Sequence, residues 1–163
     1  QASYANLERI LEEMEYAQSY GIPAEYIPGI SSSIAVPGLA GIPVTYRNLS
    51  RSFWVVTATT SDGSLSPDIQ AAAQTDATVV VLMGVERRGT IVERLVAGGL
   101  DADTPAAVVM HATTPRQRVW TGTVGELPAA DVESPAVMVI GAVATFADEA
   151  TALVAAHTLP THG

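Results

Sequence analysis

The residues best suited to chemistry lie in one stretch, 26–47, where glycines, prolines and hydroxyl side chains are concentrated. Gly29 can adopt backbone angles that other residues avoid, and it allows a ligand to approach the backbone. Ser31 to Ser33 follow, ahead of an apolar run, where a helix N-cap is expected. Such a helix start presents free N–H groups, which suit a carboxylate or a ribose hydroxyl. An ordinary capped helix after a tight turn explains the same residues without a ligand.

Arginine side chains are the second group of candidates, because the planar guanidinium group suits carboxylates. The arginines considered are Arg47, Arg51, Arg87 and Arg88. For Arg87 and Arg88 a solvated surface position is the simpler interpretation. For Arg47, binding of a carboxylate and a solvated surface position remain equally good interpretations.

Metal and nucleophile chemistry finds no support in the sequence. The histidines His111, His157 and His162 lack the spacing of metal ligands, and the last two are expected in a frayed tail. The absence of cysteine removes disulfides, thiol nucleophiles and thiolate metal sites. No G-x-S-x-G, P-loop or G-x-G-x-x-G pattern indicates a hydrolase, an NTPase or a dinucleotide-binding protein.

The composition is that of a folded, acidic chain. Of its 163 residues, 48% are hydrophobic and 15% are charged, which is typical of a globular protein. The formal net charge of −9 argues against nucleic acid or an anionic membrane as the main partner. No apolar run reaches the roughly 18 residues that a membrane span needs, and the acidic first residues do not form a signal peptide. These features are compatible with a cytoplasmic protein.

The elements that must position these residues alternate between strands and helices, which predicts an α/β fold. The strands are predicted at 24–27, 52–59, 78–83, 106–111, 118–124 and 136–141, the last continuing weakly to Phe146. The helices are predicted at 1–20, 31–39 with an interruption at Pro37, from Pro67, at 86–98 and at 148–156. In the helix at 86–98, Ile91, Leu95 and Val96 are expected to point inward. The short link between the strands at 106–111 and 118–124 favours antiparallel pairing, and therefore a mixed sheet.

The stretch 26–47 resembles the segment that joins the two domains of the tetrapyrrole methylases. The family pattern there reads approximately V-P-G-I-[ST]-[SA]-x-x-A-x-P-x-x-A-G-I-P-[LV]-T-H-R. The chain matches it at Pro28, Gly29, Ile30, Ser31, Ser32, Ala35, Pro37, Ala40, Gly41, Ile42, Pro43, Thr45 and Arg47, with Tyr46 in place of the histidine. Further matches follow in order at 52–57, 80–84, 103–109, 113–118, 122–123 and 134–141, so the resemblance covers about 12–143.

The resemblance implies two α/β domains with S-adenosylmethionine (SAM) bound between them. We expect a remnant of the first domain, a helix and a strand, at 1–29, an interdomain linker helix at 30–45 and a C-terminal α/β domain at 46–163. The second domain is expected to contain a mixed, mostly five-stranded sheet flanked by helices. The G-x-G-P-G-D-P and G-G-D-P-F-x-F-G-R-G segments of the family's first domain do not occur in this sequence. Because a lone strand at 24–27 would leave its edges unpaired, we expect this N-terminal segment to pair with another chain or to pack onto the remaining domain in a way that the family does not show.

The same resemblance implies the site residues. Ser31 and Ser32, beside the glycine turn, and Met83, at a strand end, correspond to cofactor-binding positions. Ala112 replaces the glycine of an N-G-T segment and can offer only its backbone amide, while Arg47 is expected to bind substrate carboxylates. Helix capping by the serines and space filling by Met83 remain open as alternatives. No catalytic residue is named, because the acid and base groups expected of the family belong to its first domain.

The implied activity of the parent protein is SAM-dependent C-methylation of uroporphyrinogen III, towards precorrin-2, sirohaem and cobalamin, in a cytoplasmic homodimer. S-adenosylhomocysteine would be the product of the cofactor. The chain alone is expected to have little or no activity. Two alternatives remain: a family member that acts on another precorrin or on a non-tetrapyrrole substrate, and a non-catalytic dimerisation domain.

Overall fold

Five strands form one mixed sheet in the computed structural model, which describes residues 5–60 and 62–147. They are β1 Phe53–Thr57, β2 Thr78–Leu82, β3 Pro105–Met110, β4 Arg118–Thr123 and β5 Ala136–Ile140. The spatial order is β1-β2-β5-β3-β4, with β1 and β2 parallel and every other pair antiparallel. The predicted mixed sheet, and the antiparallel pairing of β3 with β4, are therefore confirmed.

Four α-helices accompany the sheet in this part of the chain: α1 Ala5–Ser19, α2 Ser32–Leu39, α3 Asp68–Ala72 and α4 Arg88–Ala97. Three 3₁₀ turns lie at Val85–Arg87, Leu127–Ala129 and Ala142–Thr145. None of the helices among these residues is long and apolar enough to cross a membrane. The predicted helix at 148–156 and the tail with His157 and His162 lie outside the described residues.

The core has one layer on each face of the sheet. Helices α3 and α4 cover one face, where Ile69, Ile91 and Leu95 are buried against side chains of β2, β3 and β5. Helix α2 and the 3₁₀ turn Ala142–Thr145 cover the other face, where Ala40 and Ile42 are buried. Because both faces are covered, β2 and β5 are almost wholly buried, as a continuous apolar run predicts.

Two predicted strand segments are wrong. Residues 24–27 form no strand, because a strand needs a partner backbone and no other segment of the described residues pairs with them. Strand β5 does not continue to Phe146, because the chain turns at Gly141, whose φ of 130° is open to glycine but strained for other residues. The 3₁₀ turn Ala142–Thr145 follows directly.

Two helix details also differ from expectation. Helix α2 continues through Pro37, whose carbonyl accepts hydrogen bonds from the amides of Ala40 and Ile42 at 3.0 and 2.9 Å and so closes the helix end. In α4 the buried stripe consists of Ile91, Val92 and Leu95, whereas Val96 is exposed. At 100° per residue, Val96 lies about 90° from the centre of that stripe.

Candidate functional site

The sheet topology brings the ends of β2 and β3 to one edge. Both strands are antiparallel to β5, which lies between them, so both run in the same direction. Leu82 at the end of β2 pairs with Val137, and Met110 at the end of β3 pairs with Ala136. Met83 and His111 therefore leave the sheet on either side of the start of β5. The carboxyl ends of strands are where open α/β sheets usually bind ligands.

A cleft of about 290 Å³ lies at this edge. It is lined by Met83, Gly84, Val85, Glu86, Ser134, Pro135 and Ala136. The side chain of Met83 is 54% exposed. It therefore does not fill space in the core, and it forms part of the cleft wall.

Backbone conformations that disfavour ordinary side chains are concentrated at the same edge. Met83, His111 and Thr113 have left-handed φ values of 54°, 47° and 69°, and they are three of the four such non-glycine residues in the described chain. Each such conformation costs on the order of 1–3 kcal/mol, and such residues cluster at functional sites. Their clustering therefore marks this edge as a candidate site.

Ala112 lies between two of these residues, and its backbone amide is available. That N–H makes no hydrogen bond within the described part of the chain. Its half-buried side chain packs against the same cluster as Val36 of helix α2. The loop after β3 and helix α2 are thus joined through one apolar layer.

Ser31 and Ser32 begin helix α2, which contacts β2 and β5. The Ser31 hydroxyl accepts a hydrogen bond from the Ser33 amide at 3.3 Å and lies 2.7 Å from the Ser33 hydroxyl. Ser31 is therefore the N-cap that the sequence predicts, and Ser32 is half-buried beside it. The structure places these serines on the helix that covers the sheet face and places Met83 and Ala112 at the sheet edge.

The four arginines divide into two pairs. Arg47 and Arg51 are exposed, and Arg51 lines a second cleft of about 360 Å³ with Asn48 and Asp76. Arg87 donates to the carbonyl of Gly63 at 2.8 Å, and Arg88 donates to the carbonyls of Val85 and Ala130, each at 3.2 Å. Arg87 and Arg88 are thus half-buried side chains that bind backbone carbonyls, and the hydrogen bond of Arg87 lies at the exposed surface.

Sequence reasoning missed Glu133. Its carboxylate accepts a hydrogen bond from the buried imidazole of His111 at 3.0 Å and another from Arg118 at 3.3 Å. The hydrogen bond from His111, and then the positive charge of Arg118 and its hydrogen bond, lower the pKa of Glu133. A carboxylate directly before the matched Ser134-Pro135 segment was the available signal.

Gly63, whose carbonyl accepts the hydrogen bond from Arg87, follows Asp62, a carboxylate with a lowered pKa. Asp62 accepts hydrogen bonds from the Thr60 hydroxyl and from the Ser64 amide, and these lower its pKa to about 2. Because folding lowers the pKa of Asp62, its hydrogen bonds stabilise the folded protein fully at pH values above the pKa of Asp62 in the unfolded chain. This stabilisation is lost as the pH falls through the folded pKa of about 2.

We expect Thr60→Val, which keeps the shape but removes the hydroxyl donor, to raise the pKa of Asp62 towards its ordinary value. An NMR titration of the side-chain carboxyl carbon measures the midpoint in both proteins. The circular dichroism spectrum near pH 7 serves as the control for folding. An unchanged midpoint in the variant would contradict the assigned hydrogen bond.

The fold is thus an α/β domain with a mixed sheet, and its cleft lies at the carboxyl ends of two strands, where α/β domains usually bind ligands. The chain belongs to the tetrapyrrole (corrin/porphyrin) methylases, whose family model matches residues 5–128. The resemblance seen in the sequence is therefore confirmed.

Named relatives agree with this assignment. A uroporphyrinogen-III C-methyltransferase from Synechocystis is 38% identical over 141 residues, which are 83% of this chain and 54% of that protein. A siroheme synthase from Tolumonas auensis is 40% identical over 139 residues, 84% of this chain and 30% of that protein. The chain thus spans 30% of the length of the siroheme synthase and 54% of the length of the methyltransferase.

A solved structure has the same fold. It is a uroporphyrin-III C-methyl transferase from Thermus thermophilus complexed with S-adenyl homocysteine, with a TM-score of 0.71 and 32% sequence identity. The likeness covers 82% of this chain and 59% of that chain.

Proposed function

We propose that this chain forms the second half of a SAM-dependent uroporphyrinogen-III C-methyltransferase, acting towards precorrin-2, sirohaem and cobalamin. The observation that carries the proposal is the open cleft beside three left-handed residues at the ends of β2 and β3. The likeness to a uroporphyrin-III methyltransferase complexed with S-adenyl homocysteine supports the identity of the ligand.

Four residues are proposed to bind the cofactor: Ser31, Ser32, Met83 and Ala112. The features present suit it, since Met83 offers an exposed, polarizable side chain and Ala112 an unbonded amide donor. When bound, SAM supplies an electrophilic methyl group for a nucleophilic ring carbon. The chain's own contribution is to bind and orient it. Arg47, whose exposed guanidinium has no partner in the described residues, is proposed to bind a substrate carboxylate.

We further propose that residues 1–29 are the end of a first domain, 30–45 the linker and 46–163 the second domain, in a cytoplasmic homodimer. Large apolar side chains are exposed along the first two segments, at Leu11, Tyr16, Tyr20, Ile22, Tyr26, Ile27, Ile30 and Ile34. Apolar patches of this kind mark surfaces that bind other protein. The chain covers 54% of the Synechocystis relative, which leaves room for such a domain in the parent.

Isothermal titration of the chain with S-adenosylhomocysteine tests the proposal, with the mass of the species in solution measured alongside. We expect binding in the micromolar range. A stable dimer that does not bind S-adenosylhomocysteine would contradict the cofactor site and would favour an assembly domain.

We expect Met83→Lys to reduce this binding strongly, because a long cation would occupy the cleft. Leu39→Lys is the matched control, since Leu39 is 52% exposed, close to the 54% of Met83, and does not line the cleft. If Met83→Lys and Leu39→Lys bind S-adenosylhomocysteine with equal affinity, Met83 is not part of the cofactor site.

A further inference from the structure

We infer that His111 and Glu133 are positioning residues for the cofactor. Through their hydrogen bond they hold the loop after β3 so that the Ala112 amide stays unbonded and available to the ligand. The inference rests on the proposed function and adds two residues that the resemblance did not supply. In this chain His111-Ala112-Thr113 stands where the family pattern reads N-G-T.

His111 joins three segments through its backbone. Its amide donates to the carbonyl of Pro135 at 2.9 Å, and its carbonyl accepts from the Thr114 hydroxyl at 2.7 Å. The end of β3 is thus tied to the start of β5 and to the turn that follows Ala112. Any rotation of His111 moves the peptide that carries the Ala112 amide, because the two residues share that peptide unit.

The side chain of His111 is held from outside the core. Its imidazole is only 7% exposed, and its Nε2 lies 3.0 Å from the Glu133 carboxylate, which is 59% exposed. The Arg118 guanidinium lies 3.3 Å from the same carboxylate oxygen of Glu133. It also lies 3.6 Å from the carboxylate of Asp131. The Glu133 amide in turn lies 3.4 Å from the sulfur of Met110. The pKa of Glu133 is lowered, so near neutral pH its side chain is a carboxylate and accepts the hydrogen bond from the His111 imidazole.

The conformation that these contacts hold is a costly one. His111 and Thr113 both have left-handed φ values, and Thr113 is β-branched, which makes that conformation less favourable still. A strained backbone persists only where the surrounding contacts determine it. Without the hydrogen bond to Glu133, we expect the loop to relax and the Ala112 amide to leave its position.

Three variants test the inference by titration with S-adenosylhomocysteine. Glu133→Ala, at an exposed site, is expected to weaken binding about three- to tenfold, the usual net effect of one hydrogen bond, with little change in Tm. His111→Leu is expected to weaken binding at least as much. His111→Gln, whose amide nitrogen can replace Nε2 as the donor, is expected to restore most of the affinity. Glu93→Ala, an exposed carboxylate on α4 that does not line the cleft, is the control for the lost charge.

Each outcome decides a separate question. Equal affinities of Glu133→Ala and Glu93→Ala, with the unsubstituted chain binding normally, would overturn the positioning role and leave the proposed function standing. If His111→Gln binds S-adenosylhomocysteine no more tightly than His111→Leu, the positioning role is likewise overturned and the proposed function is left standing. Absence of binding by the unsubstituted chain would overturn both. If the His111 variants do not fold, Glu133→Ala decides, and the expected second readout is faster hydrogen exchange in that variant at the Thr113 amide, which donates to the Gln117 side chain at 2.9 Å.

Discussion

Replacing Gly84 by alanine is expected to lower the free energy of unfolding by about 1–3 kcal/mol, the usual cost of overpacking a core. A Cβ atom at Gly84 would lie 2.7 Å from Ile91 Cδ1, 2.8 Å from Met138 Cε and 2.9 Å from Val81 Cγ1. All three side chains are buried in the layer between the sheet and α4, so none can yield without disturbing its neighbours. The φ of Gly84 is −118°, so the expected loss comes from packing and not from backbone strain.

A second glycine-to-alanine substitution, Gly89→Ala, is expected to raise the free energy of unfolding. Gly89 lies in the first turn of α4, and a Cβ atom there would meet nothing within 4 Å. Gly89→Ala is therefore expected to stabilise the protein by about 0.4–1 kcal/mol, since alanine loses less conformational freedom in a helix.

Urea denaturation followed by circular dichroism measures both effects, as opposite shifts of the midpoint at an unchanged slope. Midpoints that shift in the same direction would contradict the packing assigned to Gly84. Because Gly84 also lines the cleft, we expect Gly84→Ala to weaken the binding of S-adenosylhomocysteine as well.

The strands were predictable where burial alone decides the pattern. The runs that became β2 and β5 are continuous and apolar, and both lie at the centre of the sheet. Residues 24–27 have a strand-like composition, but pairing depends on a second backbone, which local sequence does not reveal. The turn after β5 depends on Gly141, where a Cβ atom would lie 3.4 Å from the Cα of Thr78, a contact made across 63 residues of sequence.

The candidate site was predictable only in part. The resemblance supplied Met83 and Ala112, but the order β2-β5-β3 determines that both follow strand ends at the same edge of the sheet, and strand order does not follow from strand composition. Glu133 is 22 residues from His111, and their contact arises only because β5 enters between β2 and β3. The roles of Arg87 and Arg88 were hidden for the same reason, since their partners Gly63 and Ala130 are 24 and 42 residues away.

The linker prediction can be tested by one pair of isoleucines. Ile42 is buried on the sheet face opposite α4, with Ala107, Val109 and Val139 around it, whereas Ile30 is almost fully exposed. Ile42→Ala is expected to lower the free energy of unfolding by about 2–5 kcal/mol, because it removes transfer energy and leaves a cavity. Ile30→Ala is expected to change it by less than about 0.5 kcal/mol, as for other surface positions.

The same pair connects the linker with the cofactor. Ile42 follows α2 and fixes its end on the sheet, and Ser31 and Ser32 begin that helix, so a loosened end should displace both serines. We therefore expect Ile42→Ala to bind S-adenosylhomocysteine more weakly even at temperatures where it stays folded, while Ile30→Ala binds it as the unsubstituted chain does. Denaturation midpoints and titration at 10 °C measure the two effects separately. A stable Ile42→Ala with full affinity would mean that the linker does not depend on the sheet, and the serines would then lose their place in the proposed site.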